Sequence, residues 1–229
     1  SSTNMPTKPT SEEIANTVWS ACDTFRGTLD PTLYKDYVLS FLFFKYVSDV
    51  YKAHKEALEE KYDDPDLVRR KLERERFVIP EGHTFDDIKE SRIAEDSDLG
   101  DQINKALTAI ENANPEKLNT VFRDVNFNSE ANLGETKERN RRLRNLIDKF
   151  DTPTLDFQAF ADDPEGQDII GQAYMRLIGW FASDSGKKGG EFYTPREVVQ
   201  LLVECVDPEP GDRVYDPACG SGGMLVYSA

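Results

Sequence analysis

The stretch Asp216-Pro217-Ala218-Cys219-Gly220-Ser221-Gly222-Gly223 decides the fold of this chain. Just upstream, Arg213-Val214-Tyr215 is β-branched and aromatic, and the turn Pro208-Glu209-Pro210-Gly211-Asp212 opens it, so a short strand is expected. Just downstream, Met224-Leu225-Val226-Tyr227 reads as the beginning of a helix. A strand, a tight glycine loop and a helix make the ligand end of a doubly wound α/β sheet. The glycines let backbone approach a ligand without an intervening Cβ, and the helix start offers free N–H groups.

The chemistry of the loop narrows its ligand. No Gly-Lys-Ser/Thr follows, so a P-loop is excluded. The spacing is Gly-x-Gly-Gly, without the third glycine of a dinucleotide fingerprint. A carboxylate at Asp216 would repel a pyrophosphate, whereas it suits a cationic ligand such as the sulfonium and amine of S-adenosylmethionine. Taken alone, Asp-x-x-x-Gly-x-Gly also fits an ordinary Asp-Pro turn followed by a glycine loop.

A second stretch, Gly189-Gly190-Glu191-Phe192-Tyr193-Thr194-Pro195-Arg196-Glu197-Val198-Val199, precedes the loop by one helix and one turn. Gly190 to Val198 and Asp216 to Gly223, with a helical segment near residues 11–51, resemble the N-terminal part of the modification (methyltransferase) subunit of type I restriction–modification systems. The resemblance covers nearly the whole chain. It implies a mainly α N-terminal helical domain, then the start of an α/β S-adenosylmethionine-dependent methyltransferase domain, mostly helical within these residues. It implies an adenine-N6 DNA methyltransferase whose cofactor is S-adenosyl-L-methionine.

On that resemblance, Asp216, Pro217, Ala218, Cys219, Gly220, Ser221, Gly222 and Gly223 hold the methionine end of the cofactor. Glu191, Phe192, Tyr193, Thr194, Pro195 and Arg196 lie across it, with Phe192 or Tyr193 as an apolar wall and Thr194 as a hydroxyl or backbone contact. Simple packing would equally account for Phe192 and Tyr193, and helix capping for Thr194. The implied partners are a DNA-specificity subunit, the restriction (nuclease/translocase) subunit and double-stranded DNA, with no membrane. In the family the flipped adenine is held by an Asn-Pro-Pro-Phe/Tyr motif, which does not occur here. The acidic residue expected at the end of the next strand, for the ribose hydroxyls, is also missing. No catalytic residue is therefore assigned, and the chain is expected to be an inactive fragment of an active parent. The alternative is an assembly module that binds the specificity subunit and is catalytically inert. A small-molecule or protein methyltransferase sharing the glycine loop is a third reading.

Charge bears on the same question. With 28 basic and 43 acidic residues the net charge is −15, which argues against gripping a DNA backbone unaided. Two basic clusters, Arg69-Arg70-Lys71 with Arg74 and Arg76, and Arg139, Arg141, Arg142 and Arg144, are interleaved with Glu and read as solvated helix faces. Cys22, Cys205 and Cys219 contain no Cys-x-x-Cys pair, so neither disulfides nor zinc are expected, and the compartment reads as a reducing cytoplasm. Cys219 reads as a small packed residue, not a nucleophile. His54 and His83 lack metal-ligand spacing. No run approaches 18 apolar residues.

Along the chain, Ser1 to Pro9 reads as a disordered leader, and residues 10–150 as one mainly helical domain. Thr10-Ser11, Asp30-Pro31, Asp64-Pro65, Thr84 and Ser97 mark helix starts. From Val38 to Val47 the chain is apolar on nearly every side, the mark of a buried centre. Weaker helices are expected over 116–122 and 135–150, and Phe77-Val78-Ile79-Pro80 as a brief strand or extended segment. Residues 151–163 form a linker that Leu155, Phe157 and Phe160 pin to a surface. The incomplete methyltransferase domain occupies 164–229, opening on a helix from Asp163-Pro164 and continuing through a mobile segment, Ser183 to Gly190. Thr194 is expected to cap the helix that follows, with Val198, Val199, Leu201, Leu202 and Cys205 beneath it.

Overall fold

The computed structural model describes residues 8–92, 98–119, 121–122, 125–184, 194–220 and 222–228. Those residues are helical where they are regular, and no strand occurs among them. Helix α1 (Ser11–Ala21) opens on a capping box: Glu13 N–H donates to Thr10 Oγ1 at 3.2 Å, and Thr10 N–H to Glu13 Oε2 at 2.7 Å. A 3-10 turn, Cys22–Thr24, follows, and the chain reverses at Gly27, whose φ of +79° is a left-handed value. Asp30 then caps α2 (Pro31–Lys61) by accepting from Thr32 N–H at 2.8 Å, with proline at the first helical position.

At 31 residues α2 is about 46 Å long, and everything else is arranged on it. The 38–47 stretch is largely buried, as its mostly apolar character requires. Phe41 sits at the centre, with the rings of Phe44, Phe85, Phe127 and Phe150 at centroid distances of 5.8, 5.9, 5.9 and 5.1 Å. Those rings come from separate segments: α2 itself, α4 (Phe85–Ser91), the turn at 127–128, and α8. Between them lie α3 (Pro65–Leu72), α5 (Leu99–Ala113), α6 (Pro115–Leu118) and α7 (Glu130–Leu133), ahead of α8 (Thr136–Phe150). The helix expected over 116–122 is thus a single turn. Phe77–Pro80 carries no strand pairing; Val78 instead exchanges hydrogen bonds of 2.8 and 2.7 Å with the Asn114 side chain. Asp98 caps α5, while Ser97 lies outside the described residues.

Two arginines of one basic cluster prove structural, while Arg141 is exposed and pairs with Glu138 as expected of a solvated face. Arg139 and Arg142 are buried, not solvated: their Nη1 atoms donate to Gly134 O at 3.0 Å and Leu133 O at 2.7 Å. Those carbonyls end the short helix α7 and have no intrahelical partner, so the guanidinium forks complete it.

The least apolar feature of the core is its tightest joint. Lys45 and Asp49, one turn apart on α2, are buried and paired. Lys45 Nζ also donates to Leu155 O at 2.8 Å, and Asp49 Oδ2 accepts from Phe157 N–H at 2.9 Å. Phe85 and Phe157 face the Lys45 ammonium at 5.0 and 5.7 Å. Burial raises the Asp49 carboxyl above the ordinary carboxylate range, against the opposing pull of Lys45 and the Phe157 amide.

The 151–163 segment is consequently seated on α2, with Leu155, Phe157 and Phe160 fully buried. His54 adds a bridge, Nδ1 lying 2.7 Å from Glu75 and Nε2 3.0 Å from Asp162. Lys8 ion-pairs with Asp163. Helix α9 (Pro164–Asp184) then returns across α1 and α2. Its far end is caged: Trp180 and Phe181 lie 5.5 and 5.0 Å from the Trp19 ring, and Tyr34 Oη donates to Asp184 at 2.7 Å. Burial, reinforced by the Asp184 carboxylate, pushes the Tyr34 phenol up to about 12.

Two outcomes follow from this packing. Asp49→Ala leaves the Lys45 ammonium buried without its counter-ion and orphans the Phe157 amide, so denaturant unfolding should show a loss of about 3–5 kcal/mol. Asp49→Asn keeps an acceptor for Phe157 and should cost less. A chain ended at Asp184 should retain the cooperative thermal transition of the helical body, whereas one ended at Phe150 should lose it, because Leu155, Phe157, Phe160, Leu177 and Phe181 are all core residues.

Candidate functional site

Helix α10 (Arg196–Val206) begins one residue later than expected. Pro195 is the N-cap, extended at φ −52° and ψ 142°, and its carbonyl accepts from Val198 and Val199 N–H at 3.0 Å. The expected Thr194 cap is corrected accordingly: a capping side chain must sit at the boundary, and exposed Thr194 sits outside it. Glu191, Phe192 and Tyr193 lie outside the described residues, as do Ser221, the 185–190 stretch and the side chain of Arg196.

Only Val199 of the α10 apolar face is buried. Leu201 is 59% exposed and Val206 74%, and Val198, Leu202 and Cys205 are exposed as well, against the expectation that they lie beneath the helix. The strand expected at Arg213–Tyr215 does not form either, and Tyr215 is 86% exposed. Its composition suits a strand, but no other strand among the described residues offers an edge to pair with, and a lone strand has no ladder.

The loop itself is shaped by its own hydrogen bonds. Glu209 N–H donates to Asp212 Oδ2 at 2.9 Å, closing the Pro208–Asp212 turn. Asp216 Oδ1 accepts from Ala218 N–H at 2.9 Å, and Cys219 O from Gly222 N–H at 2.7 Å. Gly220 and Gly222 take φ values of +52° and +81°, and no heavy atom lies within 4 Å of where a Cβ would stand on either. The loop therefore presents bare backbone to open space, and Asp216 is half-exposed beside it. Helix α11 (Gly223–Tyr227) follows and packs against α10, so the loop and the α10 start belong to one surface. Cys219 is an exposed free thiol, not the packed residue expected, because nothing described covers the loop's outer side.

Sequence reading missed two contributors. The Lys45–Asp49 joint was legible as an i,i+4 opposite-charge pair at the end of an apolar run. Met175, which covers Gly223, carried no local signal.

A family profile described as HsdM N-terminal domain matches residues 14–150, and one described as N-6 DNA Methylase matches residues 165–229. The chain is 30% identical over 239 residues to the type I restriction enzyme MpnII methylase subunit of Mycoplasma pneumoniae, covering 93% of this chain and 43% of that protein. It is 29% identical over 230 residues to the MjaIX methylase subunit of Methanocaldococcus jannaschii, covering 93% and 38%. Among solved structures, the type I restriction-modification system methyltransferase subunit from Streptococcus thermophilus superposes with a TM-score of 0.75 at 26% identity. That match covers 96% of this chain and 49% of the other. The chain spans less than half the length of each of these relatives.

The positive φ of Gly222 sets a sharp requirement. Gly222→Val should strain the loop by about 1–2 kcal/mol or more, speeding amide exchange across 216–223 while the thermal transition of the helical body stays in place. Unchanged exchange would show that the loop does not depend on this torsion.

Proposed function

The chain belongs to the HsdM N-terminal domain family, and from that premise we propose that it is the N-terminal part of the DNA adenine-N6 methyltransferase (modification) subunit of a type I restriction–modification complex. The observation that carries this reading is the glycine loop: two left-handed glycines with open space around them, flanked by a half-exposed carboxylate, in a chain whose residues 14–150 match the family's helical domain.

These features fit the methionine end of S-adenosyl-L-methionine, which supplies the methyl group when bound. Gly220 and Gly222 bring backbone amides close without a Cβ, and Asp216 complements the cationic end of the ligand. The stretch from Glu191 to Arg196, of which Glu191 to Tyr193 lie outside the described residues, is assigned to the other side of the cofactor by the family resemblance, with exposed Thr194 offering its hydroxyl. Transfer to an exocyclic amine is an in-line displacement, so holding the donor in one orientation supplies much of the rate. The residues that hold the ribose and the target amine are assigned to sequence outside these 229 residues, which contain no Asn-Pro-Pro-aromatic motif. By itself the chain transfers no methyl group.

The helical body is assigned contact with the DNA-specificity subunit, and the assembled complex double-stranded DNA and the restriction subunit, in a cytoplasmic setting. The acidic balance of −15 supports delegating most phosphate contacts to partners.

Ligand-observed NMR with S-adenosylmethionine tests the cofactor assignment. Lacking several hydrogen bonds worth about 0.5–1.5 kcal/mol each, the chain should bind weakly, at roughly 0.1–1 mM, with the methionine-end protons most affected. Asp216→Ala should abolish the effect. No interaction at millimolar cofactor would remove the assignment, and micromolar affinity would show that the ribose contacts are already present.

A further inference from the structure

Among the described residues of the glycine loop, Gly223 alone is buried, while Pro217, Ala218, Cys219 and Gly220 face solvent. What covers Gly223 is Met175 of α9, itself only 7% exposed, together with Val199 of α10. A Cβ on Gly223 would stand 3.0 Å from Met175 Cε and 3.8 Å from Val199 Cγ2. Gly223 is not at a positive φ, so a side chain there would press on the Met175 methyl group without straining its own torsion. The loop's hydrogen bonds, Asp216 to Ala218 and Cys219 to Gly222, give it a shape but no location, because both ends of each lie within the loop.

Met175 does have a location. On the same helix Ala173, Leu177 and Phe181 are buried in the core, and Asp184 is tied to Tyr34 of α2. Trp19 of α1 closes over Trp180 and Phe181. The thioether end is therefore where α9 meets the loop at Gly223. Resting on the reading of that loop as the methionine end of a cofactor pocket, we propose that Met175 is the positioning residue of the glycine loop, setting the height of Gly223 and hence of the Gly220 and Gly222 amides. An unbranched, polarizable side chain suits a seat beneath bare backbone, since it fills an irregular gap without a fixed branch.

The test uses the 229-residue chain. Hydrogen exchange at the hydrogen-bonded Ala218 and Gly222 amides reports loop order, circular dichroism reports the helices, and S-adenosylmethionine titration reports the pocket. Met175→Ala should exchange about tenfold faster and bind cofactor correspondingly more weakly, with helicity unchanged, whereas Met175→Leu should match the parent. Gly223→Leu alone should also speed exchange by jamming the seat. Combined with Met175→Ala it should slow exchange back toward the parent, because the new side chain occupies the vacated space. Parental exchange in Met175→Ala would overturn the proposal, as would additive effects in the double variant or unchanged cofactor affinity beside a loosened loop. If the parent binds no cofactor while the exchange behaves as expected, the seat stands and the cofactor reading falls.

Discussion

The structure depends on one buried joint, the pairing of Lys45 with Asp49 and their grip on the backbone at Leu155 and Phe157. A buried ion pair is weak evidence for stability, since desolvating two charges offsets most of their attraction. What this pair supplies is register. The flank of α2 is otherwise aromatic and aliphatic, a surface on which an apolar segment can settle in several ways. One carbonyl and one amide, two residues apart, meet one ammonium and one carboxylate in a single arrangement. That arrangement sets where Phe157 and Phe160 enter the core, and so where α9 begins its return.

From α9 the constraint passes to the glycine loop. The loop needs no sheet to acquire its turn, since an aspartate side chain and two left-handed glycines shape it locally. Its contact with α9, at buried Gly223 against Met175, is by contrast a matter of packing. Shape and placement thus have different physical origins, hydrogen bonds for the first and van der Waals contact for the second.

The same division explains what the sequence revealed. Helix starts at Thr10, Asp30, Asp64 and Thr84 were legible because capping is chemistry between residues two or three apart. The buried centre of α2 was legible because ten residues that are apolar on nearly every side have nowhere else to go. Three readings failed where residue type alone did not decide the answer. Arg139 and Arg142 look like any solvated basic run until the carbonyl ends of α7 arrive beside them. Arg213–Tyr215 has strand composition but no neighbour among the described residues. Thr194 has a capping side chain but stands one residue outside the boundary that Pro195 sets. At the candidate site the torsions of Gly220 and Gly222 were foreseeable from residue type. Exposed Cys219, and Met175 beneath Gly223, were not, because accessibility and cover both come from elements far along the chain.

The contact between the first helix and α9 has a consequence for synthesis. Ile14, Ala15 and Val18 of α1 are buried, and the Trp19 ring finds its partners Trp180 and Phe181 only at the other end of the helical body. Tyr34 and Asp184 are likewise 150 residues apart. At a translation rate of about 5–20 residues per second, Tyr34 emerges from the ribosome roughly 8–30 s before its partner. Throughout that interval the part of the opening helix that faces α9 has no cover, although α2, and later α8, shelter other parts of it. The buried face of α1 is therefore completed only when α9 has been made.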